Sequence, residues 1–286
     1  MNPFTEVLTR MIPPSDEMPV IPEIRVPRNY QEDMKWKSDI YNRSVGNLQE
    51  QDGYDCPECL NRGDFETIED DVPVRIECRC KKIRRNLIRL KSSGLANHAR
   101  KCTFENFETP EQWQKIAKNR AMKYATSDSD KWLFFWGQSG CGKTHLCTAI
   151  CTELIKREYD VKYVHWRDLI HYLEANRFNE EKYSGKIQEL QNIDVLYIDD
   201  FLKTTRKDKD GKIQPSETDL NIAYEIINSR VVSGKRTLIS SELSISDISA
   251  FDEATGGRIS ESSEGSQILI KYGQNRNFRF HGRNEK

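Results

Sequence analysis

Long apolar runs are missing from this chain. The longest lies near Trp132–Trp136, far short of the roughly 20 residues that a membrane-crossing helix needs, so no membrane association is expected. The start carries no basic segment followed by an apolar stretch, so no secretory signal is expected and the cytoplasm is the expected location. An excess of either charge is also missing. Lys and Arg number 44 against 45 Asp and Glu, a net charge of −1, which excludes a uniformly basic nucleic-acid binder and leaves local basic patches open. Without a secretion signal, the eight cysteines are not expected to form a disulfide framework. No internal repeat is present, and neither is a nuclease or protease constellation.

What the chain does have is charge and punctuation. Charged residues make up 31 % and hydrophobic ones 36 %, a charge-rich soluble composition. A length of 286 residues allows one or two domains with a sizeable core. Half of the ten prolines fall in the first 22 residues. Residues 1–50 therefore read as a partly extended arm, of which 1–30 is either a disordered leader or a docking arm and 31–50 is polar and compatible with a helix. Residues 51–100 read as a cysteine unit followed by a basic amphipathic helix over 81–91, with Ile83, Leu87 and Leu90 on one face. From about residue 101 strands and helices alternate to the end, which predicts an α/β domain with a parallel sheet flanked by helices. Strands are expected at Trp132–Trp136, Val161–His165, Val195–Ile198, Thr237–Ser240 and Ile268–Ile270. Helices are expected at Glu111–Ala125, Lys143–Glu158, Arg167–Ala175 and Ser216–Val232.

Residues 137–144 read Gly137-Gln138-Ser139-Gly140-Cys141-Gly142-Lys143-Thr144. An apolar run precedes them, and Leu146, Ile150 and Leu154 follow at helical spacing. This is the strand–loop–helix setting of a phosphate-binding loop. Glycines let the backbone turn its N–H groups inward, and the helix N-terminus favours anions. Lys143 is expected to reach the β- and γ-phosphates of ATP, and Thr144 to offer its hydroxyl to Mg²⁺. The apolar strand Val195–Ile198 ends in Asp199 and Asp200. Such a strand is expected beside the loop's own strand, with Asp199 on the metal side and Asp200 as catalytic base or water-positioner.

With these residues the stretch 103–243 resembles the AAA+ ATPases of the bacterial helicase-loader group (the DnaC/DnaI type), with the transposition ATPase IstB as a relative. Gly137–Thr144 and Ile198-Asp199-Asp200 match the Walker A and Walker B motifs. Thr103-Phe104-Glu105-Asn106-Phe107 resembles the group's entry segment, which frames the adenine pocket. Ile226–Arg230 followed by Lys235–Ser241 is similar to the helix leading into the sensor 1 strand. The resemblance puts the sensor at Ser241 and Glu242, where the group usually has asparagine. Gly256-Gly257-Arg258-Ile259 resembles the segment carrying an arginine finger, so Arg258 is either that finger, implying self-association, or an ordinary surface arginine. Arg276 and Arg279 are the candidates for a second sensor.

Cys56-Pro57-Glu58-Cys59 and Cys78-Arg79-Cys80 are 18 residues apart. Segments 65–68 and 74–77 can pair as a hairpin across Asp70–Pro73 and bring the two pairs together. Four thiolates suit a closed structural Zn²⁺ site; free thiols, a redox pair and an iron–sulfur cluster are the alternatives. Loaders of the DnaI type have a small zinc domain ahead of the ATPase, so the resemblance makes residues 1–100 the helicase-facing region. Lys81, Lys82, Arg84, Arg85, Arg89 and Lys91 form a basic patch for single-stranded DNA or an acidic partner, or else a solvated helix face. Lys203, Arg206, Lys207, Lys209 and Lys212 form a second. Trp166 and Tyr172 read as core residues, with stacking on bases as the alternative.

The leading expectation is an ATPase that delivers a replicative hexameric helicase of the DnaB type onto single-stranded DNA. An IstB-like regulator of transposition and a non-hydrolysing adaptor that uses nucleotide as a clamp are the alternatives. Divergent ends and high charge suggest a phage origin, which would place the protein in a bacterial host's cytoplasm.

Overall fold

The computed structural model describes residues 29–206, 214–271, 273 and 277. Chain contacts divide it into two compact units, Met1–Arg89 and Leu90–Lys286. The proline-rich start, most of the lysine-rich loop over 207–213, and Arg276 and Arg279 lie outside the described residues.

In the first unit, helix α1 (Tyr30–Arg43) is capped by Asn29, whose side chain accepts from the Glu32 N–H. A short helix α2 (Leu48–Asp52) follows. Strands β1 (Asp64–Glu69) and β2 (Val72–Glu77) pair antiparallel, with Asp64 opposite Glu77. The hairpin forms where the sequence places it, but its turn is tighter than expected. Asp70 and Asp71 both take left-handed conformations (φ 49° and 61°), as a two-residue type I′ turn requires, and Pro73 lies inside β2. Helix α3 (Cys80–Ser92) comes next.

The second unit carries the parallel sheet that the alternation predicts. In chain order it contains α4 (Ala96–Ala99), α5 (Gln112–Thr126), β3 (Leu133–Gly137), α6 (Lys143–Lys156), β4 (Val161–His165), α7 (Trp166–Ala175), α8 (Glu180–Asn192), β5 (Val195–Asp199), α9 (Glu217–Val232), β6 (Arg236–Ser241), α10 (Ile245–Phe251), α11 (Glu253–Ser262) and β7 (Gln267–Ile270). The strand order is β4-β5-β6-β3-β7, with every pairing parallel. This corrects one expectation. β5, which ends in the paired acids, does not lie beside β3; β6 is inserted between them. The inner strands β5, β6 and β3 are buried almost throughout, as a sheet covered by helices on both sides demands. Trp166 belongs to the core, edge-on to Phe201 at 4.9 Å between ring centroids. Tyr172, also read as core, is instead 42 % exposed.

Arg230, on α9, is fully buried. Its guanidinium donates to the carbonyls of Leu190 and Gln191 (both 3.2 Å), to those of Ile193 and Arg236, and to Thr237 Oγ1 (3.1 Å). Burial lowers its pKa to about 10, against the opposing charge of Asp194. The guanidinium thus closes the C-terminal carbonyls of α8, where a cation is favoured. Replacing Arg230 by Met should strand those carbonyls and cost about 3–5 kcal/mol. An unfolding free energy from denaturant titration within about 1 kcal/mol of wild type would contradict this account.

Candidate nucleotide site and cysteine centre

Gly142 closes the loop at the start of α6. Its φ is +95°, and a Cβ there would lie 2.7 Å from the Phe107 ring. Only glycine satisfies both constraints. Phe107 is in turn edge-on to the His145 ring at 5.2 Å, and His145 Nε2 is 2.7 Å from the Thr103 carbonyl. Burial lowers the His145 pKa, so the neutral ring donates from Nε2. The entry segment 103–107 therefore packs directly on the loop. No side chain caps α6, which leaves its first N–H groups available to a phosphate.

Lys143 is 5 % exposed, and its Nζ donates to the Gly137 and Gln138 carbonyls (2.8 and 3.0 Å). Thr144 Oγ1 lies 3.2 and 3.1 Å from the two carboxylate oxygens of Asp199. Asp199 is itself buried and accepts from Tyr197 Oη (2.8 Å), Ser240 Oγ and Tyr163 Oη (3.4 Å). A hydroxyl against a carboxylate, both oxygen donors, is the hard-ligand chemistry that Mg²⁺ selects. The inserted β6 explains the Ser240 contact, since that strand separates the loop from the acids. Ser240 Oγ also accepts from the Asp200 N–H (3.2 Å). Ser241, the expected sensor, instead donates to the Phe201 carbonyl (2.9 Å).

Asp200 and Leu202 both adopt left-handed φ, 53° and 57°. Such strain in residues other than glycine gathers at functional sites. The Asp200 carboxylate is 3.0 Å from Lys203 Nζ and 3.8 Å from His165 Nε2, and Lys203 Nζ is 2.7 Å from Glu242. Burial opposes the Lys203 charge, but hydrogen bonds to Glu242 and Asp200 outweigh it and raise its pKa. A cavity of about 310 Å³ is lined by Ser139, Gly140, Lys143, Thr144, Asp200, Lys203 and Glu242 among others. Most of the predicted loop and acid residues therefore converge. Arg258 is not among the residues lining this cavity. Its Nε donates to Asn228 Oδ1 (3.0 Å), and its guanidinium lies 5.1 Å from the Tyr224 ring centroid.

Residues 98–262 match the bacterial DnaA ATPase domain. The chain belongs to that family. As a DnaA/DnaC-type AAA+ ATPase it is 29 % identical to the phage-like element PBSX protein XkdC of Bacillus subtilis, over 76 % of this chain and 83 % of that protein. It is 31 % identical to the replicative helicase loader DnaC of Escherichia coli over 128 residues. That match covers 44 % of this chain and about half (51 %) of DnaC. A crystal structure of the DnaC helicase loader overlays with a TM-score of 0.51 at 22 % identity, covering 59 % of this chain and 97 % of that one; this likeness shows the AAA+ fold. No helix among the described residues is long and apolar enough to cross a membrane.

The first unit of this AAA+ ATPase gathers its four cysteines. The Sγ atoms of Cys56, Cys59, Cys78 and Cys80 lie within 4.8 Å of one another. Cys56 and Cys78 are 3.9 Å apart and Cys59 and Cys80 are 3.5 Å apart. These values bracket the edge of about 3.8 Å that four Zn–S bonds of about 2.3 Å impose on a tetrahedron. They are too long for a disulfide, whose S–S bond is about 2.05 Å. All four are buried. Two backbone N–H groups point at sulfur, Gly63 to Cys59 (3.2 Å) and Cys80 to Cys78 (3.5 Å), as around a thiolate centre. As thiols, burial pushes Cys80 up to about 12, so a metal entering here must displace protons.

Sequence reasoning placed Arg84 in a basic surface patch. It is 5 % exposed and pairs with Asp52 at 2.5 Å and Asn61 Oδ1 at 2.9 Å, beside the cysteines. Lys81 and Arg85 reach Glu77 (3.1 and 3.7 Å), so the patch is smaller than its composition suggests. In the second patch Lys203 belongs to the cavity, and Arg206 pairs with Glu174 at 2.9 Å. The residues missed altogether were Tyr163, Tyr197 and His165. The alternation of β4 and β5 could have flagged the first two, because a tyrosine within an otherwise apolar buried strand needs a polar partner.

Proposed function

We propose that this protein hydrolyses ATP and loads a replicative hexameric helicase onto single-stranded DNA. The observation carrying the ATPase half is the meeting of Lys143, Thr144 and Asp200 at one cavity, with the buried Asp199 carboxylate against the Thr144 hydroxyl. Lys143 and the first N–H groups of α6 bind the phosphates. Thr144 and Asp199 would hold Mg²⁺, which supplies charge neutralisation at the transferred phosphoryl group. Asp200 orients the attacking water and takes its proton. The likeness to a helicase loader over the ATPase core supports the loading half. The cysteine unit, holding Zn²⁺, is the region proposed to face the helicase. Mixing the full chain, ATP and a replicative helicase should yield a complex stable to gel filtration that requires residues 1–100. Association with a transposase and with no replicative helicase would refute loading.

Arg258 is proposed to act in trans on a neighbouring copy's γ-phosphate. It lies away from its own cavity, as a finger for another subunit must. Arg258→Ala should keep ATP affinity and lower turnover, with about 10³-fold or more at stake for a finger. Wild-type specific activity should rise with protein concentration. A drop in melting temperature with unchanged turnover would leave Arg258 a packing residue on Asn228 and Tyr224.

A further inference from the structure

The nucleotide cavity contains a cation that the Walker motifs do not account for. The chain leaves β5 through the left-handed residues Asp200 and Leu202, and the reversal is closed by the Lys203 N–H donating to the Asp200 carbonyl at 3.0 Å. This turn sends the Lys203 side chain back to the cavity that Lys143 and Thr144 also line. There its Nζ bridges two acids, each just past the end of a strand (β5 and β6), Asp200 Oδ2 at 3.0 Å and Glu242 Oε1 at 2.7 Å. The three side chains are partly buried, 36 %, 23 % and 30 % exposed, where ionic contacts are stronger than in bulk water.

The bridge has two consequences for a phosphate in the same cavity. Glu242 would repel a γ-phosphate unless a cation stayed with it. Asp200, while it holds Lys203, has one carboxylate oxygen committed to an ammonium and not to a water. A γ-phosphate answers both conditions at once. It is a stronger acceptor for Nζ than one carboxylate oxygen, and Nζ has further N–H groups with which to keep Glu242.

We propose that Lys203, held by Glu242, contacts the γ-phosphate of ATP and lets go of Asp200 as it does so. The pair then performs the polar sensing for which neutral asparagine is the usual residue. Glu242 is a holder of the sensing cation and not a defect in the sensor. Lys203 thereby distinguishes ATP from ADP, which lacks the group that draws it away. Asp200 is released for water activation only when a γ-phosphate is present. This inference rests on the ATP reading above.

The test compares affinities of the full chain, with Mg²⁺, for ADP and for a non-hydrolysable methylene analogue of ATP, alongside turnover of ATP. In Lys203→Ala, affinity for the analogue should fall about 10- to 100-fold, the range of one charge-assisted hydrogen bond, while ADP affinity stays near wild type. Adding Glu242→Gln should restore much of the analogue affinity, because the negative charge facing the phosphate is gone, but should not restore turnover. Lys203→Arg should keep the preference for the triphosphate. If Lys203→Ala does not fold, Lys203→Gln is read in the same titration. An unchanged ratio of the two affinities overturns the inference and leaves the ATPase reading standing, as does a parallel loss of both. Wild-type protein that binds neither nucleotide overturns the two together.

Discussion

Chelation is expected to unfold the first unit and to leave the second intact. The reason is what its core is made of. The buried cluster of that unit is Tyr54, Cys56, Cys59, Cys78, Cys80, Ile83 and Leu87, with Phe65 packed against it. Four of the seven are the cysteines, so the centre and the core are one object. Its described core holds few apolar side chains besides the cysteines, and metal ligation is a common way to stabilise so small a core. Structural zinc contributes about 10–16 kcal/mol in small domains near pH 7, more than such a core could replace. The protein should carry one zinc per chain. A thiol reagent should find one reactive cysteine in the loaded protein and five after chelation, since Cys141, Cys147 and Cys151 are buried in the other unit while Cys102 is partly exposed. The AAA+ unit should keep its own thermal transition. Four thiols that react before any metal is lost, in a unit that stays folded, would rule the zinc centre out.

Lys143→Ala and Asp200→Asn should both stop turnover, but in different ways. Lys143 is the cation inside the loop. Without it the phosphates lose a charge-assisted partner in a cavity that excludes water on one side, so both ATP affinity and turnover should fall. The turnover loss should be at least about a hundredfold, the scale of one preorganised donor. Asp200→Asn keeps shape and packing and removes the proposed base, a role that contributes about 10²–10⁴-fold. ATP affinity should survive there while kcat collapses. Equal losses of binding in the two variants would mean that Asp200 binds and does not act on water. Retention of full turnover by Lys143→Ala would remove the site assignment altogether.

The parts of this site that were legible in the sequence are local. Gly137–Thr144 is a contiguous run whose backbone geometry its glycines dictate, and the apolar run ending in Asp199 and Asp200 announces a buried strand with acids at its tip. The hairpin and the cysteine pairs are likewise set by short spacings. Strand order was not legible, because β3 and β5 are separated by β6, which arrives 37 residues after the end of β5. The same non-locality hid Ser240 and Lys203. Lys203 reaches the cavity only because two non-glycine residues before it adopt left-handed conformations, which their identities do not advertise. Helix α8 escaped notice because its buried face is only Ile187 and Leu190. Helix α11 carries adjacent glycines, poor helix formers, and is started by the Asp252 side chain accepting from the Ala254 and Thr255 N–H groups (both 3.2 Å).

The way the eight cysteines are distributed also gives the protein a natural attachment point for a reporter dye. Three lie deep in the AAA+ unit and four are gathered into the thiolate centre, which leaves Cys102 as the partly exposed one. It immediately precedes the segment 103–107, whose Phe107 rests on Gly142 and whose Thr103 carbonyl holds His145. Burial raises the Cys102 pKa, with the Asp199 charge adding to it, so labelling calls for mildly alkaline conditions and patience. A dye placed there would sit two residues from Phe104 without a single substitution in the chain. Its emission could follow occupancy of the phosphate loop in real time.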